Sequence, residues 1–170
     1  MLIGNSENTT PDGDWGIVDI SNYVKQASGL NEIQKDQYYR NQAIDYILTH
    51  KLASLKMYFL KFLNFFNYRN EFVTKSEVSK ARELLMLITY GPLLLVAIAR
   101  LFFSKTYKLS SLEVLWYMAY LVDALVSAIF VTRIRYRVPF DFLLIMIVAV
   151  FIHKLIKEWG IKSRSLIAAT

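Results

Sequence analysis

Hydrophobic and polar residues are unevenly distributed along the chain, and its two halves predict different structures. After residue 83, three long apolar stretches follow one another, at 84–103, 114–131 and 140–156. The first, LLMLITYGPLLLVAIARLFF, has 20 residues and would be about 30 Å long as an α-helix, which matches the hydrocarbon core of a bilayer. We therefore predict an all-α integral membrane protein with about three transmembrane helices in residues 84–170.

A few charged residues fall inside these stretches. Arg100 lies near one end of the first stretch, so we expect its side chain to extend to the headgroups. Asp123 lies in the middle of the second, where a charged carboxylate costs about 2.5 to 3.5 kcal/mol and must be neutral or paired. A proton or substrate site and a buried structural hydrogen bond both remain open for it. Pro139 and Asp141 predict the start of the third helix.

The first 83 residues are more polar and predict three segments. Residues 1–30 are rich in Asn, Asp, Gly, Ser and Thr, a composition typical of an extracytoplasmic loop. In residues 31–68 apolar side chains recur every three or four positions, which predicts an amphipathic helix. This helix either lies at the membrane interface or packs on a soluble core. Both alternatives remain open, because a helix in either place has the same apolar periodicity. Residues 69–83 are predicted to be a linker.

Charge and composition narrow the functional classes. The net charge is +6 and 55% of the residues are hydrophobic. All of the excess positive charge lies in residues 84–170, which favours basic residues bordering membrane spans over a nucleic-acid-binding domain. The chain has no cysteine and two separated histidines, so we predict no metal site. The scattered glycines form no phosphate-binding or dinucleotide-binding loop, so we predict no cofactor.

Three arginines alternate just before the third apolar stretch. Pro139 disfavours helical geometry at Val138, which predicts an extended segment with Arg133, Arg135 and Arg137 on one side, about 6.6 to 7 Å apart. Three such guanidinium groups are suited to binding a phosphate or pyrophosphate. An alternative remains open, in which the arginines only flank a span, set its topology or contact bulk anionic lipid.

A second charged group lies in the predicted amphipathic helix. Glu32, Asp36 and Arg40 are spaced by four residues and share one helix face. They are candidate loop contacts, and their alternative interpretation is a set of solvent-exposed ion pairs.

Several short motifs resemble one family. They are NEIQKDQYYR at 31–40 with Ala43 and YILTH at 46–50, KFL at 61–63 with Phe65-Phe66, Gly4-Asn5, and Arg135-Tyr136-Arg137-Val138-Pro139. Together they resemble the extracytoplasmic loop, and the segment before the last helices, of polytopic GT-C glycosyltransferases of the dolichyl-phosphate-mannose protein mannosyltransferase and aminoarabinose transferase type. Two positions depart from the pattern, because Lys51 and Phe142 stand where many relatives have proline.

The resemblance implies a membrane glycosyltransferase that uses a polyprenyl-phosphate-linked sugar donor, and that this chain is similar to its C-terminal third. It implies lipid-phosphate binding by Arg133, Arg135, Tyr136 and Arg137. The family's catalytic acidic residue lies in a first loop that has no counterpart here, so we predict no catalytic residue and no activity without an N-terminal portion as partner. The alternative is a small non-catalytic membrane protein, an accessory or assembly subunit.

Basic residues predict the orientation only weakly. Three spans place the N-terminal half and the Arg133 to Arg137 loop on one side, and the C-terminus on the other. Seven basic residues on the C-terminal side compare with six near the spans on the other. The positive-inside rule thus slightly favours a cytoplasmic C-terminus. The resemblance implies the same orientation, with the N-terminal half extracytoplasmic.

Overall fold

The computed structural model describes residues 2–7, 9–13, 18–69 and 80–167, with side chains described as far as residue 159. Its helices are α1 (Ser21–Gln26), α2 (Glu32–Thr49), α3 (Lys51–Phe65), α4 (Lys80–Phe102), α5 (Ser111–Ile129), α6 (Ile134–Arg137) and α7 (Asp141–Ile167). Short 3-10 turns occupy Leu2–Gly4, Phe103–Lys105 and Val138–Phe140. The described residues form no β-strand, so the prediction of an all-α fold is confirmed.

Three helices are long and apolar enough to cross a membrane, as the sequence predicts. The apolar regions cover Lys80–Lys105, Ser111–Ile129 and Ile134–Trp159. Only between 17% and 28% of the residues in their most apolar windows are buried inside the protein. Most of this apolar surface therefore faces outward, as expected for helices surrounded by lipid. The chain has the fold of an integral membrane protein.

The amphipathic segment forms two helices, whereas the sequence predicts one. Asn31 begins α2 with a capping box, since its side chain accepts a hydrogen bond from the Gln34 amide at 2.9 Å. The helix ends at His50, where φ is −113° and ψ is 51°, and α3 begins at the next residue. Just before this break the Thr49 hydroxyl donates to the Asp45 carbonyl at 2.8 Å, a type of bond that bends helices.

Helix α3 packs across α5 through its last two turns. The Tyr58 hydroxyl donates to the Leu125 carbonyl at 3.2 Å, and the buried Phe65 ring meets the Tyr120 ring edge to face at 5.4 Å. The other side of α3 carries an exposed apolar stripe, formed by Leu52, Leu55, Phe59 and Leu63. This helix therefore has one face in the bundle and one face without a protein contact in the described residues.

The N-terminal residues are packed, although the sequence predicts only a polar loop there. Leu2, Val18 and Ile20 are buried in a small apolar cluster with Ala43 of α2. Helix α1 adds one short turn of regular structure between this cluster and α2. The predicted linker at 69–83 is mostly outside the described residues, since 70–79 are not described and α4 begins at Lys80.

The main core lies where α3, α4, α5 and α7 meet. Small side chains, Ala97 on α4 and Ala124 on α5, are completely or almost completely buried and allow close helix approach. Helix α7 contributes an apolar face to the same core, formed by Leu143, Leu144, Ile147 and Val148. The prediction that the last helix starts near Pro139 and Asp141 is confirmed, because α7 begins at Asp141.

A buried ionic cluster joins the three spanning helices at the end of the bundle where α4 ends and α5 begins. The Arg100 Nε atom lies 2.8 Å from Glu113 Oε1, and both side chains are fully buried. Lys154 of α7 reaches the other Glu113 oxygen at 2.7 Å. Arg100 also donates to the carbonyls of Tyr107 and Lys108 in the connecting loop. The expectation that Arg100 extends to the headgroups is thus wrong, because Glu113 and two carbonyls satisfy it inside the protein.

We predict that Glu113→Gln destabilises the protein by about 3 to 5 kcal/mol, because it leaves the Arg100 charge buried without its counterion. The matched control is Glu83→Gln, which removes the exposed ion pair with Arg69 and should cost about 0 to 1 kcal/mol. Thermal unfolding of both variants in detergent micelles measures the difference. Equal losses in the two variants would contradict this account of the cluster.

Candidate functional site

The segment between α5 and α7 packs against the N-terminal loop. The Thr132 amide and hydroxyl both donate to the Pro11 carbonyl, at 3.3 and 3.1 Å. The Asn5 side chain donates to the Ile129 carbonyl at 3.0 Å. The N-terminal loop and the arginine segment therefore lie at the same end of the bundle, as three spans require.

The arginine segment is helical, so the extended geometry predicted for it is wrong. Residues Ile134–Arg137 form α6, and Val138 has helical angles, with φ at −48° and ψ at −40°. Pro139 lies in the first turn of the following 3-10 helix, where a missing amide hydrogen costs no internal hydrogen bond. In a helix, residues two apart point to different sides. The three arginines consequently have three different environments.

Arg137 is completely buried and bound to the protein itself. Its Nη1 atom donates to the carbonyls of Phe65 and Asn67, at 3.0 and 2.6 Å. Its Nε atom lies 3.3 Å from a carboxylate oxygen of Asp141. These contacts tie the end of α3 to the start of α7 and leave the guanidinium closed to a ligand in this structure.

Two tyrosines extend this polar network into the bundle. The Arg137 guanidinium carbon lies 3.5 Å from the centre of the Tyr90 ring on α4. The Tyr90 and Tyr120 hydroxyls are 3.2 Å apart, and the Tyr120 hydroxyl donates to Asp141 at 3.0 Å. Arg137 thus links α3, α4, α5 and α7. The i, i+4 spacing of Arg137 and Asp141 was the one signal of this role in the sequence.

We predict that Arg137→Met destabilises the protein by about 3 to 5 kcal/mol, because Asp141 is left without its buried partner. Arg135→Met is the matched control, since it removes the same charge from an exposed side chain of the same helix and should change stability by about 0.5 kcal/mol or less. Thermal unfolding in detergent micelles again gives the comparison. If Arg135→Met lowered the stability and Arg137→Met did not, Arg135 and not Arg137 would be the arginine that stabilises the helix bundle.

Arg135 and Tyr136 remain open to a ligand. Arg135 is exposed, and its Nη2 atom donates to the Tyr136 hydroxyl at 2.9 Å. Its guanidinium carbon also lies 4.9 Å from the centre of the same ring. Arg133 is 9% exposed and is held at the N-terminal end of α6. The pair Arg135–Tyr136 therefore presents a preformed positive group beside an aromatic ring.

A cavity of about 420 Å³ opens beside this pair. Its wall is mainly apolar and is formed by Ile3, Gly4, Val126, Ser127, Phe130, Val131 and Tyr136. At the edge of this cavity the backbone of Gly4 lies close to the backbone of Phe130. A Cβ atom added to Gly4 would be only 1.9 Å from the Phe130 carbonyl oxygen. The N-terminal loop, the end of α5 and α6 thus build one cavity from segments far apart in the chain.

A lysine is buried behind the Gly4 edge of the cavity. Lys61 of α3 is 1% exposed and donates to the carbonyl of Gly4 and, at 3.4 Å, to the side chain of Asn5. Burial lowers the pKa of Lys61 from 10.5 to about 8. The sequence drew attention to this lysine only as part of the KFL motif at 61–63, and the periodicity of the predicted amphipathic helix placed it off the apolar stripe.

We predict that Lys61 makes stability rise with pH between about 8 and 10.5. The unfolded chain binds the Lys61 proton up to about pH 10.5, whereas the folded protein releases it near 8. Folding is therefore favoured by up to about 3 kcal/mol more above this window than below it. Unfolding of wild type and Lys61→Met across these pH values isolates the effect as the difference between them. If the stability of wild type relative to Lys61→Met fell as the pH rose, the predicted role of Lys61 would be contradicted.

The other predicted contacts lie away from the cavity. Glu32, Asp36 and Arg40 are all exposed on α2, and none of them lines the cavity. Their role as loop contacts stays a prediction. Comparison of the chain with protein-family models, with curated proteins and with solved structures finds no match. The arrangement of the site and the sequence motifs are therefore the basis for a functional proposal.

Proposed function

We propose that this chain is the C-terminal portion of a GT-C type membrane glycosyltransferase and that it binds a polyprenyl-phosphate-linked sugar donor. The observation that supports this proposal is the apolar cavity lined in part by Tyr136, with the exposed Arg135 stacked on the Tyr136 ring. A polyprenyl phosphate has two parts that complement these features. Its apolar chain would contact the cavity wall, and its anionic head would contact Arg135. The Arg135 to Pro139 motif resembles that of a family whose lipid phosphate carries a sugar, and we therefore include the sugar in the proposed ligand.

The chemistry of the cavity suits both parts of such a ligand. Val126, Phe130 and Val131 offer apolar surface to a prenyl unit. Arg135 has a planar guanidinium that forms paired, charge-assisted hydrogen bonds with phosphate oxygens. Its described side-chain contacts are to Tyr136 alone, so it need not give up a counterion to bind phosphate. The cation–π contact holds the guanidinium near the cavity before the ligand arrives.

In this proposal the four residues of the motif have different tasks. Arg135 and Tyr136 contact the phosphate, and Arg133 adds positive potential from the start of α6. Arg137 contributes indirectly, because its contacts with the end of α3 and with Asp141 position α6. Catalysis would be supplied by the acidic first loop of the enzyme's N-terminal portion. The cavity and the N-terminal loop would face the extracytoplasmic side.

We predict that Arg135→Ala weakens binding of a synthetic polyprenyl phosphate about tenfold or more, since each lost charge-assisted bond is equivalent to at least one decade of affinity. Val126→Trp, which fills the cavity, should weaken binding of the same ligand. Lys56→Ala is the control, because it removes an exposed positive charge from α3, away from the cavity. Affinities are measured on the purified full chain in detergent micelles.

Two further ligands separate the proposed recognition from general lipid binding. The polyprenol without its phosphate should bind more weakly and should be insensitive to Arg135→Ala. Phosphatidic acid should bind more weakly than the polyprenyl phosphate, because it has two acyl chains, whereas the cavity of about 420 Å³ is proposed to hold part of a single chain. Equal binding of all three ligands, or equal affinity of wild type and the Arg135 variant, would refute the proposal.

The exposed stripe of α3 favours a second candidate function. Leu52, Leu55, Phe59 and Leu63 form an apolar face with exposed Lys51 and Lys56 beside it. A small non-catalytic accessory protein would use this face to lie on an anionic membrane surface or to dock on a partner helix. In that case Lys56→Ala would weaken attachment to anionic vesicles, whereas Arg135→Ala would leave the affinity for polyprenyl phosphate unchanged.

A further inference from the structure

Among the described residues, one carboxylate of α5 has no cationic partner. Asp123 lies twelve residues after the first residue of this spanning helix and six before its last, four residues before Ser127. The Ser127 hydroxyl lies 3.5 Å from one Asp123 oxygen, which is the upper limit of a hydrogen bond. The other oxygen, Oδ2, is buried and has no hydrogen-bond partner in the described part of the chain. A structural hydrogen bond therefore does not account for this side chain.

Three of the other carboxylates on the spanning helices are placed differently, and a fourth, Glu158, is exposed near the end of the third apolar region. Glu113 is bound by Arg100 and Lys154, Asp141 is bound by Arg137, and Glu83 is bound by Arg69. In each of these three groups a cationic nitrogen lies within 3.3 Å of a carboxylate oxygen. Among the described ion pairs, Asp123 takes part in none.

Within the described parts of the helices packed against α5, the following cations have partners other than Asp123. From α7, Asp141 is held by Arg137, and Lys154 is held by Glu113. On α3, Tyr58 donates to the Leu125 carbonyl and Lys61 donates to Gly4. On α6, Arg137 is paired with Asp141 and Arg135 stacks on Tyr136.

We propose that Asp123 carries a proton in the membrane and forms, with Ser127, a proton-binding site next to the cavity. A bound proton converts the carboxylate into a neutral carboxylic acid, whose burial in an apolar environment costs far less than that of the charged form. Ser127 connects the site to the cavity, because its side chain contacts Asp123 and lines the cavity wall. This proposal is independent of the identity of the lipid that fills the cavity.

Dicyclohexylcarbodiimide tests the proposal, because it adds covalently to protonated carboxyl groups in apolar surroundings. We expect it to label Asp123 of the full chain in native-like membranes, whereas the paired Glu113 and Asp141 remain unlabelled. Peptide mass spectrometry gives the extent of labelling at each carboxyl group. Labelling of Asp123 should fall about tenfold for each pH unit above its titration midpoint, because the protonated fraction falls by that factor. Labelling of Asp123 no greater than that of Glu113 would overturn the proposal.

Two variants provide a measurement that does not depend on labelling. Asp123→Asn replaces a neutral acid by a neutral amide of the same shape, so its midpoint of thermal unfolding should stay within a few degrees of wild type. Asp141→Asn removes the counterion of Arg137 and should lower the same midpoint clearly. A loss in Asp123→Asn as large as that in Asp141→Asn would show that Asp123 is charged and paired. If sodium ions at constant pH protected Asp123 from the carbodiimide, the site would bind a metal cation, and the proposal of a proton-binding site would be refuted.

Discussion

The buried guanidinium of Arg137 is the interaction on which the arrangement of helices depends. A charge inside a membrane protein is tolerated only when carbonyls, a carboxylate or an aromatic face replace its water. Arg137 finds all three, at the end of α3, at the start of α7 and on the Tyr90 ring. Because these partners belong to different helices, the guanidinium makes all of these contacts in only one relative position of those helices.

The same principle acts at the other end of the bundle. Helices in lipid gain little from burying apolar side chains against one another, since lipid tails are equally apolar. Polar contacts and close packing of small residues must therefore specify the assembly. Arg100, Glu113 and Lys154 join α4, α5 and α7 there, and Ala97 and Ala124 are buried in the main core. The cavity and the Arg135–Tyr136 pair are positioned by this frame.

The sequence predicts the spans well because their signal is local. Length, hydropathy and the Pro139–Asp141 helix start are each visible within one window of residues. Partners are less predictable, because Arg100 meets Glu113 only when α4 and α5 lie antiparallel. In the structure Glu113 also forms a capping box with Ser110 at the start of α5, and neither of these roles was predicted from the sequence. The preference of Val138 for extended geometry is similarly overridden, since the buried contacts of Arg137 stabilise a helical turn more than one proline disfavours it.

The bond between Thr132 and Pro11 has a consequence for the order of events during synthesis. Its donor and acceptor are 121 residues apart. At a translation rate of about 5 to 20 residues per second, the Pro11 carbonyl is made on the order of ten seconds before Thr132. During that interval α4 and α5 are synthesised and must enter the bilayer, and the N-terminal loop has no α5 to pack on. The cavity is consequently a late product of biogenesis, completed only after the second span is in place.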